Sequence, residues 1–234
     1  MPSSTDIARS LAEAAVSISA PRTLEETLDA IVHAARTSVP GFDHVGISIV
    51  SKDRIETKAA TSQLVWELDD VQYDLQEGPC VDSIRKEPLM SAPHLRDDSR
   101  WPRYVPQAVE RGVRSQLAYR LYVEDHTMGG LNFYSTESDT LQDGAYEIGE
   151  LFATHATVAL GRAIEEDNLN QALATRTLIG NAVGLTMARF QVSSDRAFQF
   201  LARASSTSNI KMRDIAEEIV SRADEEYGAK GRPD

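Results

Sequence analysis

The stretch from residue 176 to residue 222, RTLIGNAVGLTMARFQVSSDRAFQFLARASSTSNIKMRDIAEEIVSR, decides how the C-terminal part of the chain folds. It predicts three amphipathic helices with short polar breaks, because its apolar residues recur at helical spacing. Ser193 or Ser194 is predicted to cap the second helix and Asn209 the third, since each offers an acceptor to free N–H groups. The apolar positions are Ile179, Val183, Met187 and Phe190, then Ala197, Phe198, Leu201 and Ala204, then Met212, Ile215, Ala216, Ile219 and Val220.

The motifs of this segment resemble the ANTAR domain, the RNA-binding output module of bacterial transcription antitermination regulators. The matching runs are IGNAVGLTM over 179–187 and NIKMRDIA over 209–216, with Ala197-Phe198, Leu201, Arg203, Ala204 and Ser205 between them. The sequence departs from the family pattern at Asn181, Val183, Ala202 and Ile210. The resemblance implies binding of paired RNA hairpin loops whose formation prevents a terminator. The candidate RNA-binding residues are Arg176, Arg189, Arg203, Asn209, Lys211 and Arg213.

Charge is distributed unevenly along the chain. The whole sequence of 234 residues has a net charge of −12, whereas residues 170–222 carry more basic than acidic side chains. A locally basic module on an acidic body is typical of nucleic-acid binders. The alternative is that these arginines are simply scattered over solvated helix surfaces. We expect a cytoplasmic protein without membrane contact, because the sequence has no secretory signal and no apolar run of spanning length.

Residues 23–160 alternate strands with short helices, which predicts an α+β fold with a mostly antiparallel sheet. Thr23 and Glu26 have the spacing of a capping box at the start of the first helix in this region. The predicted strands are 44–50, 54–61, 89–92, 115–123 and 128–135, and the predicted helices are 23–39, 62–74, 81–86, 104–110 and a long one from 143.

The motifs LQEGPCVDS over 75–83, GVRS over 112–115 and GGLNFYS over 129–135 resemble GAF domains, particularly those fused to ANTAR modules. The resemblance implies a sensor fold with a pocket between the sheet and its covering helices. Candidate pocket residues are Val45, Ile47, Trp66, Cys80, Trp101, Tyr119 and Phe133. The sequence identifies no cofactor, and it leaves open an unknown small-molecule ligand of the GAF domain.

The single cysteine, Cys80, has two interpretations. It is a small buried apolar residue, which the sequence favours, or a redox-sensing thiolate at a helix N-terminus. The five histidines are dispersed without metal-ligand spacing, and the sequence contains no catalytic motif. We therefore expect neither a metal site nor an enzyme.

The expected architecture is an N-terminal helical segment (1–22), a GAF-like sensor (23–160), a helical connector (161–175), a three-helix all-α output module (176–222) and a tail (223–234). Leu169 and Leu173 mark a heptad tendency, which favours a homodimer formed through the connector. The predicted function is a signal-responsive antiterminator that binds paired RNA hairpins, with an unknown ligand or upstream partner as its signal. The alternative is a protein-interaction regulator whose helical C-terminal module docks on a partner protein without binding RNA.

Overall fold

The computed structural model of the chain describes residues 23–51, 54–123 and 126–230. The predicted segment 1–22, with its helix over 5–18, lies outside the described residues. The chain divides into two compact units, Met1–Glu165 and Glu166–Asp234.

The first unit is built on a five-stranded antiparallel sheet, as the alternating pattern predicts. Its strands have the spatial order β2-β1-β5-β4-β3, so β5 lies at the centre between β1 and β4. The strands are β1 (His44–Ser51), β2 (Arg54–Ala60), β3 (Leu89–Ala92), β4 (Ser115–Val123) and β5 (His126–Ser135).

Helices cover both faces of this sheet. The capping box at Thr23 is confirmed, since the Glu26 N–H donates to the Thr23 hydroxyl at 3.2 Å and the Thr23 N–H donates to the Glu26 carboxylate at 3.0 Å. A short 3-10 helix (Leu95–Asp97) precedes the fourth α-helix. The α-helices are α1 (Leu24–Ser38), α2 (Gln63–Leu75), α3 (Pro79–Arg85), α4 (Tyr104–Glu110) and the first part of α5 (Ala145–Phe190).

Strand alternation sends successive side chains to opposite faces and so creates two cores. One face presents large apolar residues to α1 and to residues 145–165 of α5; the other packs on α2, α3 and α4. The first core includes Ile31, Val45, Ile47, Leu117, Leu131, Phe133, Phe152 and Leu160, and the second includes Val65, Leu68, Leu95, Trp101, Tyr104, Ala118 and Tyr134.

The second unit contains the rest of α5 together with α6 (Ser194–Ser208) and α7 (Met212–Lys230). Its fully buried apolar core consists of Ala182, Leu201 and Ala216. Two of these three residues are alanines, so the helices enclose little apolar volume. Partly buried side chains packed on this core are Leu178, Ile179, Val183, Met212, Ile219 and Val220.

Two expectations for this unit were wrong in detail. Phe190 and Ala204, assigned to the apolar faces, are exposed, and so is Phe198, which was predicted to lie beside the apolar residues of α6. Helix α7 continues to Lys230 rather than ending in a tail after residue 222. The sequence ADEEYGAK supports this extension, since alanine, glutamate and lysine are good helix formers.

Candidate functional site

The first unit contains a buried group of hydrogen-bonded side chains between the sheet and helices α2 and α3. We call this group the polar cluster; its members are Ser48, Thr57, Asp69, Gln72, Tyr73, Cys80, Asn132 and Tyr134. Strand alternation places Ser48 and Asn132 on this face, since Ile47 and Phe133 occupy the opposite one. The cluster therefore lies on the face of the sheet where Ser48 and Asn132 present polar side chains, opposite the face that presents large apolar ones.

Asp69 is the only carboxylate in the polar cluster and it is fully buried. The Thr57 hydroxyl donates to its Oδ2 atom at 2.6 Å, and the Tyr134 hydroxyl donates to Oδ1. Burial raises the pKa of Asp69 to about 6, because removal from water penalises the charged form more than these hydrogen bonds favour it. This carboxyl group consequently gains or loses a proton near neutral pH.

Cys80 lies in the same cluster and is fully buried. Its Sγ atom is 3.5 Å from the Ser48 Oγ atom and 3.0 Å from the Asn132 Nδ2 atom, and its backbone N–H donates to the Gln72 side chain at 2.9 Å. Burial, with the nearby Asp69 charge, raises the pKa of Cys80 to about 12. The residue lies in the first turn of α3, where burial penalises the charged thiolate form. The structure shows a buried thiol, which is the interpretation that the sequence favours.

The residues predicted to line one pocket are not brought together. Val45, Ile47, Tyr119 and Phe133 belong to the core that contacts α1 and α5. Trp101 belongs to the core on the opposite face of the sheet. Cys80 lies on that same face, where it contacts Ser48 and Asn132. Trp66 is half-buried on α2. Aromatic and apolar content identified core residues, but it did not tell which face of the sheet each one occupies.

Three buried polar atoms of the central strands have no hydrogen-bond partner among the described residues: Gln116 Nε2, Arg120 Nη2 and Asn132 Oδ1. Asn132 pairs with Ala118 in the ladder between β4 and β5, and Gln116 and Arg120 lie two residues to either side of Ala118. All three side chains thus leave the sheet on the polar-cluster face. Buried polar groups are normally paired, so these three neighbouring atoms are exceptions among the described residues. These three residues were not among the predicted site residues, although their alternation with Leu117, Leu131 and Phe133 places them on one face of the sheet.

The second unit presents the predicted RNA-binding residues on its surface. All six are exposed. Arg213 is the one member of this set that forms an ion pair within the described part of the chain. Its Nε atom lies 3.5 Å from the Oδ1 atom of Asp214. Arg176, Arg189, Arg203 and Lys211 therefore carry charges that no carboxylate of the described residues neutralises. Lys211 and Arg213 also adjoin the N-terminus of α7, where free N–H groups add positive potential.

Asn209 plays a different role from the predicted one. It ends α6 in the left-handed conformation, with φ 57°, instead of capping the start of α7. Asparagine tolerates this conformation better than most residues, so it serves at either end of a helix. The predicted cap at Ser193 is confirmed, since its hydroxyl accepts from the Arg196 N–H at 3.4 Å.

The second unit also exposes aromatic side chains. Phe190 at the end of α5 and Phe200 on α6 are in ring contact, with centroids 6.3 Å apart and planes inclined by 57°. Phe198 lies on the other side of α6, where it lines a groove with Arg176. Phe200 and Arg196 were not among the predicted site residues, although Arg196, Phe200 and Arg203 recur at the spacing of one helix face.

Comparison with family models assigns both units. The GAF domain model matches residues 21–161, and the ANTAR domain model matches residues 167–220. The chain belongs to the GAF–ANTAR family. An ANTAR domain is an RNA-binding module of antitermination regulators and a GAF domain is a sensor, so both domains of this GAF–ANTAR protein are regulatory modules.

Solved structures resemble the GAF–ANTAR protein in fold. The GAF domain of a phosphoenolpyruvate-protein phosphotransferase from Coxiella burnetii is 14% identical with a TM-score of 0.58, and the match covers 71% of this chain and 99% of that one. Free methionine-R-sulfoxide reductase from Neisseria meningitidis, in complex with its substrate, is 14% identical with a TM-score of 0.56 over 71% of this chain and 96% of that one. At these identities the likeness shows a shared fold alone.

Among curated proteins, none matches the GAF–ANTAR sequence. Within residues 23–51, 54–123 and 126–230, no helix is long and apolar enough to cross a membrane. In the same residues, no group of three or more His, Cys, Asp or Glu side chains is arranged to hold a metal ion.

Proposed function

We propose that this GAF–ANTAR protein is a signal-responsive regulator that binds RNA hairpin loops through its second unit and promotes transcription antitermination. The observation that carries the proposal is the coincidence of the ANTAR match with exposed, unneutralised cations at Arg176, Arg189, Arg203 and Lys211. RNA loops are recognised by cations that contact phosphates and by flat groups that stack on bases. Both kinds of group are exposed on this unit.

The first test removes two of these cations. The double variant Arg203→Glu/Lys211→Glu is expected to lose binding to RNA hairpins, because each substitution places a negative charge beside a phosphate. Both side chains are exposed, so the variant should keep the helix content and melting temperature of the wild type. A matched control, Arg54→Glu/Lys58→Glu, makes the same change in charge on exposed residues of β2. Equal hairpin retention by both double variants would refute the site.

Salt dependence separates RNA binding from the alternative of docking on a partner protein. For contacts to single-stranded RNA, the slope of log affinity against log salt is about −0.7 per phosphate neutralised. Apolar docking changes little with salt. We expect wild-type binding to a hairpin pool to weaken steeply with added salt, and a flat salt response would favour the protein-docking alternative.

We propose that the first unit senses the signal. The unpaired atoms Gln116 Nε2, Arg120 Nη2 and Asn132 Oδ1 support a small polar ligand that accepts from the first two groups and donates to the third. A thermal-shift screen with small polar metabolites tests this proposal. A ligand bound there should raise the unfolding temperature of the wild type and lose its effect in Asn132→Leu. A ligand effect that survives Asn132→Leu would place the ligand elsewhere.

A homodimer formed through the connector is also proposed. Leu169 and Leu173 lie one helical turn apart and are 60% and 54% exposed, so a second copy could cover both on one face. Mass measurement in solution should find a dimer in the wild type and a monomer in Leu169→Glu/Leu173→Glu. An unchanged mass in the double variant would contradict this interface.

A further inference from the structure

One face of α6 alternates cations with an aromatic ring. Arg196, Phe200 and Arg203 are spaced i, i+4 and i+7, so they follow one another along the same face of the helix. Phe190, the last residue of α5, adds its ring to that of Phe200 at a centroid distance of 6.3 Å. We call Phe190 and Phe200 the phenylalanine pair.

The phenylalanine pair remains open to solvent. Phe190 is 61% exposed and Phe200 is 51% exposed, although full burial of a phenylalanine is strongly favourable. The small core at Ala182, Leu201 and Ala216 leaves no space for them. Two large rings exposed side by side indicate a binding surface, since isolated exposed apolar residues are common but clustered ones are not.

The surrounding charge favours RNA over a second copy of the chain. Arg196 and Arg203 flank Phe200, and Arg189 adjoins Phe190; none of these arginines forms an ion pair with a described residue. A symmetric contact of two copies through this face would bring the arginines of both copies together and cost electrostatic energy. Phosphates on either side of an unstacked base would neutralise the same arginines.

We propose that the phenylalanine pair is a stacking platform for bases of the RNA loop, with Arg196 and Arg203 holding the phosphates beside them. Unstacked loop bases stack on aromatic rings in many RNA-binding proteins, and such stacking tolerates any base. The inference rests on the proposed function and names residues of the same surface that the sequence motifs did not single out.

The experiment uses the full chain and a pool of RNA hairpins with one fixed stem and a randomised loop. Phe190→Leu and Phe200→Leu keep an apolar side chain and remove the ring. Tyr122→Leu is the matched control, because Tyr122 is 52% exposed on β4 of the first unit, which contains none of the predicted RNA-binding residues. Ultraviolet crosslinking followed by mass spectrometry reports which side chains stack on bases, a signal that a merely structural role would not produce.

We expect base crosslinks at Phe190 or Phe200, none at Tyr122, and a loss of affinity of about tenfold in Phe190→Leu and Phe200→Leu. Tenfold corresponds to 1.4 kcal/mol, which is within the range measured for losing one stacked base. Tyr122→Leu should bind as the wild type does.

Three results would overturn the proposal in distinguishable ways. If the wild type retains hairpins while all three variants bind equally and no crosslink forms at the pair, the platform is wrong and RNA binding stands. If the RNA-free protein changes oligomeric state in Phe190→Leu or Phe200→Leu and crosslinks are missing, a second copy covers this face. If the wild type retains no hairpin at any salt concentration, the proposed function and the platform fail together.

Discussion

Replacing the buried Asp69 by asparagine should change how the stability of the first unit depends on pH. Burial raises the pKa of Asp69 from 3.8 to about 6 in the folded protein, whereas the unfolded chain exposes this carboxyl to water. The folded state therefore binds the proton more tightly than the unfolded state. The stability that this group contributes is complete below the unfolded pKa of 3.8, and it is lost as pH rises through the folded pKa near 6.

The size of the effect follows from the shift in pKa. The shift is about two pH units, and each unit corresponds to 1.36 kcal/mol, so the wild type loses on the order of 3 kcal/mol from this one carboxyl between about pH 4 and pH 7. Asparagine keeps an oxygen that accepts from Thr57 or Tyr134 and carries no charge. The free energy of unfolding of Asp69→Asn should therefore rise relative to the wild type across this range.

Urea unfolding followed by tryptophan fluorescence measures this difference. Both tryptophans of the chain, Trp66 and Trp101, lie in the first unit, so the signal reports that unit alone. Asp29→Asn makes the same chemical change at an exposed position of α1 and is the control. Other carboxyl groups cancel in the comparison. A constant difference between Asp69→Asn and the wild type over the whole range would show that Asp69 has the same pKa in both states, and the reasoning would be refuted.

Two further predictions concern buried side chains. The thiol of Cys80 should resist alkylation by iodoacetamide at pH 8 in the native protein and react fully in urea. Its pKa of about 12 leaves little thiolate, and its burial keeps solvent away from the sulfur. Mass spectrometry measures the alkylation, and rapid reaction of the native protein would contradict the burial of Cys80. Leu201→Ala should destabilise the second unit by about 2 to 5 kcal/mol, since Leu201 is the largest side chain of its buried core. Calorimetry should then show a lower unfolding temperature for that unit, and an unshifted transition would argue against this packing.

Local signals in the sequence predicted the secondary structure well. The bounds of β3, α4 and β4 are as predicted, and the capping box set the start of α1. These elements have strong local determinants: apolar alternation within strands, and a cap whose partners are three residues apart. The type and order of the elements therefore followed from short-range chemistry.

The location of side chains in the tertiary structure was harder to predict. Alternation shows that Ile47 and Ser48 face opposite ways, but it does not tell which helices cover each face. The predicted pocket consequently mixed residues such as Phe133 with Trp101, which the sheet keeps apart. Asn209 was assigned to the wrong helix end because asparagine suits both an N-cap and a left-handed C-terminus.

The small core of the second unit links its packing to its proposed interaction with RNA. Ala182 and Ala216 lie fully buried on two different helices, and a larger side chain at either position would push the helices apart. Large apolar residues such as Phe190 and Phe200 are therefore kept on the surface, although the amphipathic pattern alone would assign Phe190 to the interior. On the surface they lie beside arginines that no described carboxylate neutralises. A core assembled around alanines thus leaves both rings and charges available, and these are the groups that looped RNA requires.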